Sequence, residues 1–187
     1  PSPISAPVLD LNTSTSGLDN SVSACSGLVP IGTMSITNSS GSVDEVTVSF
    51  SSSEILNGNS EVFIPDASSS NDNNIQLGFA TGGTQTVTIN PIPCIVTKSV
   101  SSGIRTLQFT KSPSGTFTTA QVKSIMDGLN YSNKNAQPTN GVRNFIVTLR
   151  EGAFVSVPVT FKVTTLCCDL TASISEKTNV ACYGEAN

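Results

Sequence analysis

The stretch that decides the fold is V142-R-N-F-I-V-T-L-R150, followed by E151-G152 and then A153-F-V-S-V-P-V-T-F-K-V-T164. Apolar and polar residues alternate along it with period two, the signature of strands that turn one face to a core and the other to water. In the second half Val155, Val157, Val159, Phe161 and Val163 share one face, with Ser156, Thr160, Lys162 and Thr164 on the other. The break at Glu151-Gly152 predicts a hairpin turn.

Working outward from this hairpin, the same pattern recurs in short runs at 46–50 (VTVSF), 61–64 (EVFI), 75–79 (IQLGF), 86–89 (TVTI) and 104–109 (IRTLQF). Each run is bounded by Gly, Asn, Ser or Pro, and such spacing indicates an antiparallel sandwich or barrel, of which a sandwich of about seven strands is expected. One segment departs from period two. Val122, Ile125, Met126 and Leu129 recur at helical spacing behind Thr118-Thr119-Ala120-Gln121, which predicts a single short helix over 119–129. The polar run S-S-S-N-D-N-N at 68–74 reads as a surface loop rather than a calcium linker. The valine alternation ends at Cys167-Cys168-Asp169, so the sandwich is expected over 1–166. Residues 167–187 are too few to bury a core and read as a linker with the start of a further module.

Ser, Thr and Asn supply 67 of the 187 residues and charged residues only 12%, which is neither a charge-rich disordered profile nor that of a helical bundle. There is no His, so Ser-His and Cys-His nucleophile pairs, His-ligated zinc and histidine acid/base chemistry are all absent. A net charge of −4 with nine scattered Lys and Arg offers no patch for a phosphate backbone, and no apolar run approaches the length of a membrane helix. Nucleic-acid binding and membrane insertion are therefore not expected. The opening PSPISAPVLD carries no signal-type apolar core and reads as an excerpt of something longer.

Five cysteines stand at 25, 94, 167, 168 and 182, none with the CxxC spacing of a metal knuckle or redox site. With so polar and charge-poor a chain, disulfides in an oxidising compartment are the leading reading; buried reduced thiols are the alternative. The odd total leaves Cys182, five residues from the end, outside the main domain, and Cys25, Cys94, Cys167 and Cys168 within it.

The stretches P-V-L-D-L-N, V-P-I-G-T-M-S-I-T-N, S-S-G-I-R-T-L-Q-F, A-Q-V-K-S-I-M-D-G-L-N-Y-S-N and R-N-F-I-V-T-L-R-E-G, spanning about 160 residues, resemble the cadherin-like (Ig-like) tandem modules of giant bacterial surface adhesins. The tail T-N-V-A-C-Y-G-E-A-N resembles the opening of the SprB repeat of very long Bacteroidetes surface proteins. The resemblance implies a seven-stranded sandwich with termini at opposite poles, on the cell surface, exported by type IX secretion and serving gliding motility or attachment. It also implies calcium at the N-terminal pole, held by Asp10, Asp44, Glu45 and Glu151. These carboxylates supply only part of a six-to-eight-oxygen shell, the acidic residue expected before the second strand is replaced around Ala24-Cys25, and the alternative is solvated turn carboxylates. The same topology brings Cys25 near Cys167 and Cys168 and implies that Cys25 and Cys94 each bond one of that pair; a Cys25–Cys94 bridge is the runner-up.

The function this implies is a non-catalytic structural and adhesive module, monomeric as a fragment, whose partners are the neighbouring modules of its own chain. The alternative is a module gripping surface polysaccharide, against which stands the absence of Trp and the presence of only two Tyr for stacking on sugars. An enzyme would need a carboxylate pair, and Glu54 with Glu61 or Asp66 with Asp72 are the nearby sets, with nothing to suggest a cleft between them.

Overall fold

The structure, a computed structural model, describes residues 6–11, 20–24, 29–30, 34–37, 39–65 and 73–165. In chain order the strands are β1 (Val8–Asp10), β2 (Asn20–Ala24), β3 (Val29–Pro30), β4 (Ser35–Thr37), β5 (Glu45–Ser51), β6 (Glu61–Pro65), β7 (Ile75–Gln76), β8 (Gly83–Ile89), β9 (Ile92–Ser101) and β10 (Ile104–Lys111). The helix α1 (Thr119–Gly128) follows, then β11 (Leu129–Asn133), β12 (Gly141–Glu151), β13 (Phe154–Val155) and β14 (Val159–Thr165). The large sheet runs β2-β14-β12-β5-β10-β9-β8, with β13 added to β12; a smaller sheet runs β3-β11-β6-β7, and β1 pairs with β4. This is the expected all-β sandwich with one helix. It has more strands than seven because the expected 153–164 strand is split into β13 and β14 and because the ten-residue β9 and several short strands lie outside the expected runs.

Core residues alternate as the sequence pattern requires: Val46, Val48 and Phe50 on β5, Leu107 and Phe109 on β10, and Phe145, Val147 and Leu149 on β12 are all buried. Phe145 is the hub between the sheets. Its ring lies 5.4 Å from Phe50, 5.0 Å from Phe63, 5.9 Å from Tyr131 and 6.1 Å from Phe161. The helix α1 begins where expected. The Thr118 side chain accepts from the Gln121 backbone N–H while the Gln121 side chain accepts from the Thr118 N–H, a reciprocal cap. Val122, Ile125 and Met126 then face the core.

The deciding hairpin carries one correction. It turns at Gly152, whose φ of 57° suits glycine, and Glu151 faces Phe154 across the turn. However, Val155 and Val157 do not share the buried face of Val159, Phe161 and Val163: they are 53% and 61% exposed. Arg150 opposes Val155, yet Val147 opposes Val159, so one extra residue is accommodated between β13 and β14. That is a bulge, and a one-residue slip reverses every side chain on one side of it. Pro158, which has no N–H for the ladder, lies within the bulge. Ser156 turns inward instead and accepts the Leu149 N–H at 3.0 Å.

The register fixes two poles. Val8 faces Thr37 on β4, and two residues later Ser39 donates to Glu151 at the end of β12; this is the N-terminal pole. Thr165, the end of β14, faces Gly141 at the other end of β12. The described chain therefore enters at one pole and ends at the other, separated by the 11 residues of β12, a length of about 33 Å. The boundary expected at residue 167 and most of the loop expected at 68–74 lie outside the described residues.

Candidate functional site

The carboxylates expected to gather around calcium are engaged by other partners. Arg150 of β12 reaches both Asp44 and Glu45, at 3.4 Å and 2.8 Å. Asp44 also accepts the Gly152 N–H, and Glu45 accepts from Gln108. Arg150, the first and largest influence on Glu45, holds its carboxyl below the usual carboxylate range against the opposing effect of burial. Glu151 accepts from the Ser39 hydroxyl and from the Ser40 N–H at 2.9 Å. Asp10 lies half-buried on β1. Among the described residues no three or more acidic or thiol side chains come together as a metal site. Asp10, Asp44, Glu45 and Glu151 are therefore not gathered as a metal site among the described residues, and the cation that Asp44 and Glu45 meet is the Arg150 guanidinium.

Of the cysteines expected to pair, only Cys94 lies among the described residues. Cys94 is a free, fully buried thiol, donating weakly to the Ile92 carbonyl. It faces Lys111 and Val87 in the large sheet, at the N-terminal pole end of β9. Three strands, β10, β5 and β12, separate β9 from β14, about 19 Å across the sheet, and Thr165 is at the opposite pole. β2, which ends at Ala24, is one strand further still from β9. Cys25, Cys167 and Cys168 themselves lie outside the described residues. The backbone does pair Ala24 with Thr165 in the parallel β2–β14 ladder.

The most concentrated polar chemistry is one that sequence reasoning did not assemble. Arg143 of β12 and Glu61 of β6 are both completely buried and form a two-pronged pair across the sandwich, with Nε and Nη2 each 3.0 Å from a carboxylate oxygen. The Tyr131 hydroxyl of β11 donates to the same carboxylate at 2.7 Å, and the Asn57 N–H at 2.8 Å. The remaining Arg143 donors go to the Gly141 and Thr139 carbonyls, each at 3.1 Å. Burial lowers the Arg143 pKa, but the Glu61 carboxylate outweighs it and the net shift is upward; burial and then Glu61 push the Tyr131 hydroxyl well above its ordinary value. Every group in the cluster has a partner, as a structural staple requires, whereas a general base needs a free lone pair and a general acid a proton it can give up. The signal was present: Arg143 falls in phase with Phe145, Val147 and Leu149, and a charge on an apolar phase demands a buried counter-charge.

The carboxylates considered as an acid/base pair are likewise engaged. Glu54 spends one oxygen on the Asn144 N–H and the other on the Asn144 amide, both at 2.9 Å, replacing the ladder where β5 has ended. Glu61 is in the staple, and Asp66 and Asp72 lie outside the described residues. A shallow open cleft of about 200 Å³ at Ile36, Thr119, Ala120 and Lys123 offers a single charged side chain. Among the described residues no helix is long and apolar enough to cross a membrane. No protein-family model, curated protein or solved structure matches the chain.

Proposed function

We propose that this chain is a non-catalytic structural module of a long cell-surface adhesin, a bead that spaces and stiffens a filament serving attachment or gliding. The observation that carries this reading is the passage of the described chain from one pole to the other, which lets modules follow one another in line without folding back. The engagement of its charged side chains supports it further: Arg150 with Asp44 and Glu45, Arg143 with Glu61, and Glu54 with Asn144 each hold one piece of backbone to another.

The test is small-angle scattering on two copies joined through the native 166–187 segment, together with a glycan array on the single chain. An elongated particle with a narrow distribution of inter-module distances is expected. Saturable binding of one oligosaccharide by the single chain would move the assignment to a polysaccharide-recognition module, and a broad distance distribution would remove the stiff spacer.

A further inference from the structure

We infer that β8, an outer strand of the large sheet, is a self-pairing edge: two copies of this chain join there by antiparallel strand addition about a two-fold axis at Thr86. β8 ends the sheet order, and among the described residues its one ladder is to β9. The direction of its backbone groups follows from the register. Pro93 turns its carbonyl to β10, where it accepts the Ser112 N–H at 3.1 Å, so the alternating residues Cys94, Val96 and Lys98 turn their backbone groups to β8. Their partners are Val87, Gln85 and Gly83. Thr84, Thr86 and Thr88 therefore aim their N–H and C=O away from β9, to the open side of the strand, and no described backbone group pairs with them there.

Open edges are usually blunted by charge, proline, a bulge or shortness. β8 has none of these. It runs seven residues, G-T-Q-T-V-T-I, in unbroken register with β9 and without Lys, Arg, Asp, Glu or Pro. The outer strands of the small sheet, β3 and β7, are each two residues long, and β3 ends in Pro30.

What fits this edge is its own copy. An antiparallel partner centred on Thr86 sets Thr86 against Thr86 of the copy and Thr84 against its Thr88, so that every outward residue falls in a hydrogen-bonded pair. A slide by one residue would set outward groups against inward ones, and a slide by two leaves only two threonine pairs. On the water side the facing side chains are then all threonine, a favourable cross-strand pair, and no like charges meet. On the core side Gln85 faces Val87 of the copy. At each end Asn90, held to α1 through Ser124, stands opposite Gly82 of the copy, beside Gly83. Neither glycine has a side chain, and even a Cβ on Gly83 would meet nothing. One such edge buries less than the roughly 1,200 Å² of a stable pair, so single chains join only as they are concentrated. Along a filament of repeated modules the contacts add through effective concentration; that multiplication rests on the spacer reading above, whereas the pairing of single chains does not.

The experiment is sedimentation equilibrium on the whole 187-residue chain up to millimolar concentration, beside Thr86→Pro and Thr86→Lys. Proline at this position removes an N–H aimed outward and spares the β9 ladder; lysine sets like charges across the axis. The average mass of the unaltered chain is expected to rise toward that of a dimer. Each variant should lower the association constant at least about tenfold, since two N–H···O bonds cross the axis at Thr86. Register is read by mild oxidation of concentrated Thr86→Cys, which should give a covalent dimer whose bridge, by peptide mapping, joins the two substituted positions. Thr84→Cys should not, because its copies would lie four residues apart, about 13 Å. A mass that stays monomeric throughout would overturn the pairing, as would association that both variants leave unchanged, or equal bridging from positions 84 and 86. If Thr86→Pro does not fold, the mass of the unaltered chain and the bridging pattern still decide. Each of these failures would leave the spacer reading standing, since that is decided by inter-module distances in dilute tandem copies.

Discussion

At the scale of single residues, Arg143 shows how a buried charge can be indispensable once present without being the best choice for stability. Removing one partner leaves the other ionised and dry, a cost of about 3–5 kcal/mol, whereas replacing both with apolar residues of similar size is often neutral or stabilising. Arg143→Met is therefore expected to lower unfolding stability by about 3–5 kcal/mol in urea melts, and Arg143→Met with Glu61→Leu to recover most of the loss; a double variant as weak as the single would show that the staple supplies more than charge pairing. Cys94 makes the opposite case, an apolar thiol whose burial pushes its pKa up to about 12. In the unfolded chain it ionises near its ordinary 9.0, so stability is full below that pH and falls as pH rises through the interval up to the folded value. Tyr131, raised from 10.0, adds to the same alkaline loss. Mass spectrometry after alkylation at neutral pH should find Cys94 unmodified in the native protein and modified in denaturant, and Cys94→Val should flatten the alkaline fall in melting temperature; ready native labelling would contradict the buried thiol.

At the scale of elements, legibility followed from how far each one is decided by its own residues. The helix was readable to within a residue because its cap, Thr118 with Gln121, and its apolar stripe are local, and Thr118→Ala should cost about 1 kcal/mol of stability in thermal or chemical unfolding. The strand β5 was readable because its inward residues all meet one core. β9 was passed over because Pro91-Ile92-Pro93 at its start reads as a breaker, while the ladders to β8 and β10 that make it a strand come from distant sequence. Val155 and Val157 were misplaced for a related reason: alternation gives the phase of a strand, and only pairing with β12 reveals that the phase slips at the bulge. The candidate site was less legible than the fold, because carboxylates announce an affinity for cations without saying whether metal or arginine supplies the charge. Tight packing between elements is equally hidden until the backbones are seen. A Cβ on Gly78 would fall 2.2 Å from the Gly58 carbonyl carbon and 2.4 Å from the Asn59 nitrogen. Gly78→Ala must therefore displace backbone in the turn before β6, and a loss of about 1–3 kcal/mol is expected on unfolding, against little change for Gly83→Ala, where the added methyl meets nothing.

At the scale of the whole molecule, the two poles are closed by different chemistry, and that difference sets how the protein responds to acid. The N-terminal pole is tied by ionised groups: Arg150 to Asp44 and Glu45, and Asp44 to the Gly152 N–H. The C-terminal pole is tied by the fully buried Arg143–Glu61 pair and by amides and hydroxyls, with the Asn57 side chain accepting from Asn133 and the Thr139 N–H while donating to the Thr139 hydroxyl, all at 2.8–2.9 Å. Amides do not titrate, but Glu45 does. Its folded pKa lies below the ordinary 4.5 because Arg150 favours the carboxylate, so its contribution is present above pH 4.5 and is lost as pH falls through the lower folded value. Hydrogen exchange followed by mass spectrometry should accordingly show peptides around 43–46 and 149–153 losing protection first as pH is lowered below 4.5, after correction for the intrinsic pH dependence of exchange, while peptides around 57–61 and 133–141 keep theirs. Raised salt should weaken the same pole by screening its half-exposed ion pairs, modestly, because such pairs are worth little each. Calcium or a chelator should leave both poles unchanged, since Arg150 already pairs with Asp44 and Glu45; calcium-dependent protection at 43–46 would mean that a metal can displace it. Equal acid sensitivity at the two poles would instead mean that the ion pairs of Arg150 do not hold the N-terminal pole closed.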